Sequence, residues 1–344
     1  MRGVFLSLLA AMSAAFAPTA WASCDERSED IVFGRAMALA PPGTPWDDQW
    51  QIFKANVSQD PTMCFDYFTR GERRSEEQMF HDIRRGRAHV GGMSFQSVTV
   101  VAPEMAMAIA PFVFDSAEEV DFVYDEYLLD VANELMAEKN LVILQWVEVG
   151  WMNLYANDPI LTPEDLSGRK MRGSPSLSAQ LFLEMMNADS IPVGAGDIIP
   201  ALQTGLVEGG LSSTVFHFFQ TRKFASDFTL TRHAYDTGAI VVNKDWFDGL
   251  TTSQQQTLKS AWPPSAEARQ GVRDLVGMAL SVMTQEGVEI HQLTDEQRTV
   301  WREASAPIAI AMAERIGPGA QKVIDAINAG KAAFRGEASV RDGS

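Results

Sequence analysis

Cysteine is scarce in this chain: its 344 residues hold two, Cys24 and Cys64. That excludes a disulfide-stapled scaffold and leaves room for one bridge at most within the chain. The two can pair in an oxidising compartment, or stay as free thiols with one near a mobile end. Long apolar runs are missing too. Beyond the first residues nothing approaches 18 unbroken apolar positions, so the mature chain is not expected to span a membrane. Positive charge is short, with 28 Lys and Arg against 45 Asp and Glu and a net charge of −17. Such a field repels phosphate backbones and anionic lipid, which argues against nucleic acid as a partner. An acidic protein can still bind an acid, but it then needs a local cation.

Catalytic signatures are also absent. There is no Gly-x-Ser-x-Gly elbow, His-Glu-x-x-His pair or Walker loop. Gly194-Ala195-Gly196 resembles the start of a dinucleotide turn, but Ile199 stands where the third glycine belongs. His81, His89, His217, His233 and His291 show no metal-ligand spacing, and the carboxylates are scattered over polar helix faces. Neither an enzyme nor a cofactor nor a metal is expected.

What is present begins at the N-terminus. Arg2, an apolar run from Val4 to Ala17, and Ala20-Trp21-Ala22 form the pattern of a cleaved secretory signal over residues 1–22. Trp21, Ala22 and Ser23 make a poor approach to a lipid-modified Cys24, so a soluble exported product is expected. Strand-like and helix-like segments then alternate, as in an α/β protein. Strands are predicted at Ile31 to Leu39, Phe65 to Thr69, His89 to Met93, Leu141 to Val147, Arg169 to Arg172, Leu211 to Thr214 and Ala239 to Asn243. Helices are predicted at Trp46 to Val57, Glu76 to Arg85, from Ser116 on, from Ser174-Pro175 to about Asn187, and over Asp197 to Thr204. From Thr251 the chain reads as helical, with capping boxes at Thr251/Gln254 and Thr294/Gln297 and a break at Pro263-Pro264. The last dozen residues read as a frayed tail.

One feature points to binding. Arg169-Lys170-Met171-Arg172 is a short basic strand, followed at once by the Gly173-Ser174-Pro175 helix start. A guanidinium fork beside a helix N-terminus is a ready carboxylate site. A surface arginine on an edge strand, paired with a nearby acid, fits the same spacing.

Several segments, in order, resemble the TRAP-transporter solute-binding proteins of the DctP family. They are Ile83 to Gly91, Ile109 to Phe114, Leu161 to Arg172, the block running from Ile191 through Asp197 and Ala201 to Glu208-Gly209, and Val242 to Leu250. Each is weak alone; their order across the chain is specific. The resemblance implies a two-lobed periplasmic binding protein of the class II type, with crossing strands and a long interdomain helix. It divides the chain into lobe I (25–150 plus 239–275), lobe II (151–238 plus 276–330) and a tail (331–344). It implies a periplasmic receptor that binds a small organic acid and delivers it to TRAP permease subunits in the membrane. It places the family's carboxylate-binding arginine at Arg172.

Ligands bind at strand ends in such folds. The further cleft candidates are therefore Trp46, Ser94, Phe95, Trp151, Asn153, Ser174, Thr214, Phe216 and His217. Met152, Ala195 and Ser212 stand where some members carry an arginine, an aromatic ring or an asparagine, which suggests a less polar ligand than sialic acid. The alternative is a carrier or sensor of hydrophobic, lipid-like ligands on the same fold. It requires a long apolar cavity without a buried cation.

Overall fold

The computed structural model describes residues 31–70, 76–174, 176–193 and 197–342. The expected signal segment, Cys24, Pro175 and the Gly194-Ala195-Gly196 turn lie outside them. Among the described residues nine strands form one mixed sheet. They are β1 (Val32–Ala38), β2 (Met63–Phe68), β3 (Val90–Ser94), β4 (Leu141–Ala156), β5 (Lys170–Gly173), β6 (Asp189–Pro192), β7 (Gly209–Ser213), β8 (Asp227–Asn243) and β9 (Glu289–Gln292). The order is β2-β1-β3-β8-β4-β7-β5-β6, with β9 on β8.

The sheet divides into two lobes. β1 runs parallel to β2 and β3 in one, and β5 runs parallel to β6 and β7 in the other. β4 and β8 pair antiparallel along their length and pass through both. The last part of β8 lies between β3 and the first half of β4; the second half of β4 lies beside β7, and the first part of β8 beside β9. Three register shifts interrupt the pair, one of them between Glu148 and Gly150. Gly150 there takes φ +95, a backbone that a side chain would strain.

Both crossing strands are far longer than the predicted Leu141 to Val147 and Ala239 to Asn243. Glu148, Gly150, Asn153 and Asp236 break the apolar pattern where the strands cross between lobes. β9 was also missed: its residues are half exposed or exposed, and its strand form depends on pairing with β8 rather than on local pattern.

Local chemistry starts the helices as expected. Helix Pro45–Val57 has Thr44 accepting the Asp47 N–H, proline in its first turn and Asp47 and Asp48 beside it. It buries Trp50, Phe53 and Val57 on one face, where Phe53 stacks on Trp262 at 4.2 Å. Both expected capping boxes form, at Thr251/Gln254 and Thr294/Gln297. The helix expected to open at Ser174 instead runs over Leu177–Met185, and the Ser174 hydroxyl accepts the Ser176 N–H ahead of it. Cys64, on β2, is engaged in a disulfide.

Helix Ser265–Gln285 is the long interdomain helix. It packs along β4, on helix Pro45–Val57 of one lobe and on helix Thr214–Phe216 of the other. Two arginines anchor it. Arg269 donates to both carboxylate oxygens of Asp125, at 2.7 and 2.6 Å. Arg273 donates to Glu148 at 3.0 Å and to Asp121 at 2.7 Å, and the Tyr235 hydroxyl donates to Glu148 as well.

The expected frayed tail is a correction. Helix Ala320–Asp342 continues through it. Phe334 packs on Phe122 at 5.8 Å, and Lys331 bonds Glu119 at 3.0 Å. Polar composition concealed these contacts. The same helix lies on Ala117–Val123 and Leu129–Ala137, so it belongs with the first lobe rather than the second.

Candidate functional site

A cavity of about 410 Å³ opens where β4 and β8 cross, with walls from both lobes. Strand alternation explains its lining. β8 contributes every second residue, Ala234, Asp236, Gly238 and Ile240, and β3 contributes Gly92 and Ser94. Helix Pro45–Val57 adds Trp46, Gln49 and Trp50 at helical spacing. After β5 come Arg172, Ser174 and Ser176, then Ser178 and Phe182 from the following helix.

Arg172 is largely buried in this wall. Its Nε donates to the Val193 carbonyl at 3.2 Å, and its Nη groups have no partner among the described residues. Burial holds its pKa below the usual arginine range, with only the nearby Tyr155 phenol acting the other way. No carboxylate among the described residues neutralises it. Gly210 makes the packing possible, since a Cβ there would lie 2.5 Å from the Tyr155 hydroxyl and 3.1 Å from the Arg172 Cβ.

Two acids face the same space. Glu76, from helix Glu76–Arg84, accepts the Ser94 N–H and, at 2.7 Å, the Ser94 hydroxyl. Asp236 accepts the Thr237 N–H at 3.0 Å. Burial pushes its carboxyl up to about 7; the Thr237 N–H lowers it somewhat, and the Glu76 charge raises it further. Asp236 therefore binds its proton more tightly in the fold than in the unfolded chain. The resulting stability is complete below about pH 4 and fades as pH rises through about 7. Asp236→Asn removes the titration and should flatten that decline. The melting-temperature gain of the variant should be larger near pH 8 than near pH 5. Equal gains at the two would refute this.

Of the ten sequence candidates, Arg172, Trp46, Ser94, Ser174 and Phe216 line the cavity. The other five do not. Phe95 is fully buried against Tyr124 and Trp146, one residue past the strand end that faces the cleft. Trp151 and Asn153 flank Met152, which does line the cavity, so strand alternation turns them away. Trp151 packs edge-on against Tyr235 at 4.8 Å. Asn153 is spent on backbone, donating to the Trp151 carbonyl and accepting the Arg232 N–H. Thr214 is buried beside Asn153. His217 is sandwiched between Tyr155 and Phe228, bonds Thr221 at 2.7 Å, and is held neutral by burial at about 3.

Sequence reasoning missed Glu76, Asp236, Gln49, Phe219 and His233. Helical spacing from Phe216 would have found Phe219, and from Trp46 would have found Gln49. Asp236, a charge two residues before Gly238 at the start of the apolar run Ala239 to Val242, was a legible signal. Glu76 was not, because only the fold brings its helix to the end of β3. Met152 and Ser212 line the cavity as well; Ala195 is outside the described residues.

A cavity at the junction of two lobes joined by crossed strands is the arrangement of a two-lobed solute-binding protein. The chain belongs to the bacterial extracellular solute-binding protein family 7, DctP, whose model matches residues 36–315. This is a family of receptors rather than enzymes, and its curated members include periplasmic binding proteins. The C4-dicarboxylate-binding periplasmic protein DctP of Rhodobacter capsulatus is 29% identical over 210 residues, 60% of this chain and 63% of that protein. So the match spans somewhat less than two thirds of that relative. Among solved structures, the ectoine-binding protein of the TeaABC TRAP transporter of Halomonas elongata superposes with a TM-score of 0.80. It is 22% identical, over 88% of this chain and 100% of that one. The sugar acid binding protein DctPAm of Advenella mimigardefordensis, in complex with galactonate, gives 0.79 at 22% identity over 88% and 99%. At that identity the structures establish the shared fold. Among the described residues no helix is long and apolar enough to cross a membrane.

Proposed function

We propose that this chain is an exported, periplasmic receptor that captures a small organic acid between its lobes and delivers it to the membrane subunits of a TRAP-type transporter. The observation that carries the reading is Arg172: a partly buried guanidinium in the cavity wall, whose Nη donors have no hydrogen-bond partner and no carboxylate among the described residues. Burying a cation without a counter-charge is costly. A ligand carboxylate supplies the missing charge and takes two parallel hydrogen bonds. The cavity volume is within the range of small-molecule sites. The R. capsulatus relative is named for dicarboxylate binding, which supports the same ligand chemistry.

The lipid-carrier alternative required a cavity without a buried cation, and this one holds Arg172 together with Glu76 and Asp236. Capture proceeds by closure. The lobes, 31–150 with 239–275 and 151–238 with 276–316, hinge on β4 and β8 near Gly150 and Gly238. Ligand shifts the population to the closed state, which the permease recognises.

The test is a thermal-shift screen of the signal-free protein against small carboxylates, their primary amides and fatty acids. A ligand that binds only the folded state raises its melting temperature. Shifts with an acid and none with its amide are expected. Shifts with fatty acids or neutral apolar compounds alone would overturn the carboxylate reading.

A further inference from the structure

Arg172 accounts for the cation in the cavity lining and leaves the two acids that share the lining unexplained. Glu76 and Asp236 share that wall, close enough for the Glu76 charge to act on Asp236. Ser94 fixes Glu76 by two hydrogen bonds, and the β-ladder holds Asp236 opposite Gly150. Neither acid has a Lys or Arg partner among the described residues. Gln49, 5% exposed in the same lining, has a side-chain amide N–H with no acceptor among the described residues. Two acids without a cationic partner among the described residues, and an unmet donor, facing a cavity, are the complement of a missing ligand.

Tryptophan lines the same cavity. Trp46, Trp50 and Trp262 line it, and the Trp46 indole N–H is already spent on the Glu148 carbonyl at 2.8 Å. Aromatic faces beside carboxylates suit a positively charged nitrogen. A polyhydroxy acid would instead need many polar partners, and this wall is mostly apolar. A second carboxylate would meet Glu76 as a like charge, and Asp236 as well once that group ionises as pH rises through about 7.

We propose that the ligand is a zwitterion, whose carboxylate meets Arg172 and whose ammonium- or amidinium-type nitrogen lies between Glu76 and Asp236 against the tryptophans. This rests on the receptor reading above and narrows it from organic acids to acids that also carry a cation.

Titration calorimetry on the signal-free protein tests it with proline, glycine betaine and ectoine as zwitterions, glucuronate as a polyhydroxy acid and succinate as a dicarboxylate. At least one zwitterion should bind tenfold or more tighter than glucuronate or succinate, by about the penalty of like-charge juxtaposition. Glu76→Gln and Asp236→Asn should each weaken that zwitterion by about tenfold or more and strengthen succinate. Melting curves of both variants establish that they fold, and Asp236→Asn is expected to be the more stable near neutral pH.

Three results would overturn the proposal: glucuronate or succinate binding tightest, no zwitterion binding, or both variants holding the zwitterion as the wild type does. Arg172→Ala separates the two readings. If it abolishes binding while the acid variants change nothing, the zwitterion assignment fails and the carboxylate receptor stands. If it changes nothing for any acid, the receptor reading fails as well.

Discussion

Arg172→Ala should weaken binding of whichever acid shifts the melting curve by about 2–5 kcal/mol, roughly thirty- to several-thousand-fold. The size follows from the environment. The guanidinium is partly buried, its Nε is already bonded to the Val193 carbonyl, and its Nη groups have no partner among the described residues. Deleting it removes a charge-assisted fork and leaves the ligand carboxylate in a wall that also presents Glu76 and Asp236. Arg172→Lys keeps the charge but not the planar fork, and should fall between the two. Calorimetry of the three proteins against the same acid is the measurement. An alanine variant within threefold of wild type would mean that the carboxylate binds elsewhere. The variant should fold well, since Arg172 has no ion pair among the described residues and gains stability from being removed from a partly desolvated position.

Arg273→Ala should cost stability on a similar scale, about 3–5 kcal/mol of unfolding free energy. Glu148 is 5% exposed and takes its charge balance from Arg273, with the Tyr235 hydroxyl completing its bonds. Asp121 receives the other nitrogen of the same guanidinium. Truncation strands a carboxylate in the interior beside the crossing strands and frees the middle of helix Ser265–Gln285 from β4. Denaturant unfolding of wild type and variant checks the figure. A loss under about 1 kcal/mol would place this network with ordinary surface ion pairs. Because Glu148 precedes the register shift at Gly150, binding in a surviving Arg273→Ala protein also reports whether the network steadies the junction between lobes.

Much of this was open to reading before any coordinates. The helix starts at Thr44, Thr251 and Thr294 are local chemistry: a hydroxyl beside free N–H groups works the same way in any fold. The strands β1, β2 and β3 were legible because each is short and carries apolar side chains; β7, Gly-Gly-Leu-Ser-Ser, was placed two residues late, at Leu211 to Thr214. Arg172 was legible as a cation at a strand end, and the ordered family segments fixed its expected role. The crossing strands were only half legible, since Glu148, Asn153 and Asp236 sit where the chain leaves one lobe for the other, and no local pattern marks a strand that serves two environments. The tail misread as frayed is held by Phe334 and Lys331, whose partners, Phe122 and Glu119, lie some two hundred positions earlier.

The cleft shows the same division. Five candidates were chosen by nearness to a strand end and were turned away by one residue of alternation or a third of a helical turn. Phe95, Trp151 and Asn153 follow or flank cavity residues in the chain, yet point to the other side. Composition, motifs and segment order determined the α/β class, the family and the position of the cationic end, because each depends on residue type and on neighbours a few positions away. Which acids share the cavity with that cation was decided only by the tertiary structure. Glu76 comes from a helix and Asp236 from a strand 160 residues later, and a cavity wall is made of side chains that share a space without sharing a stretch of sequence.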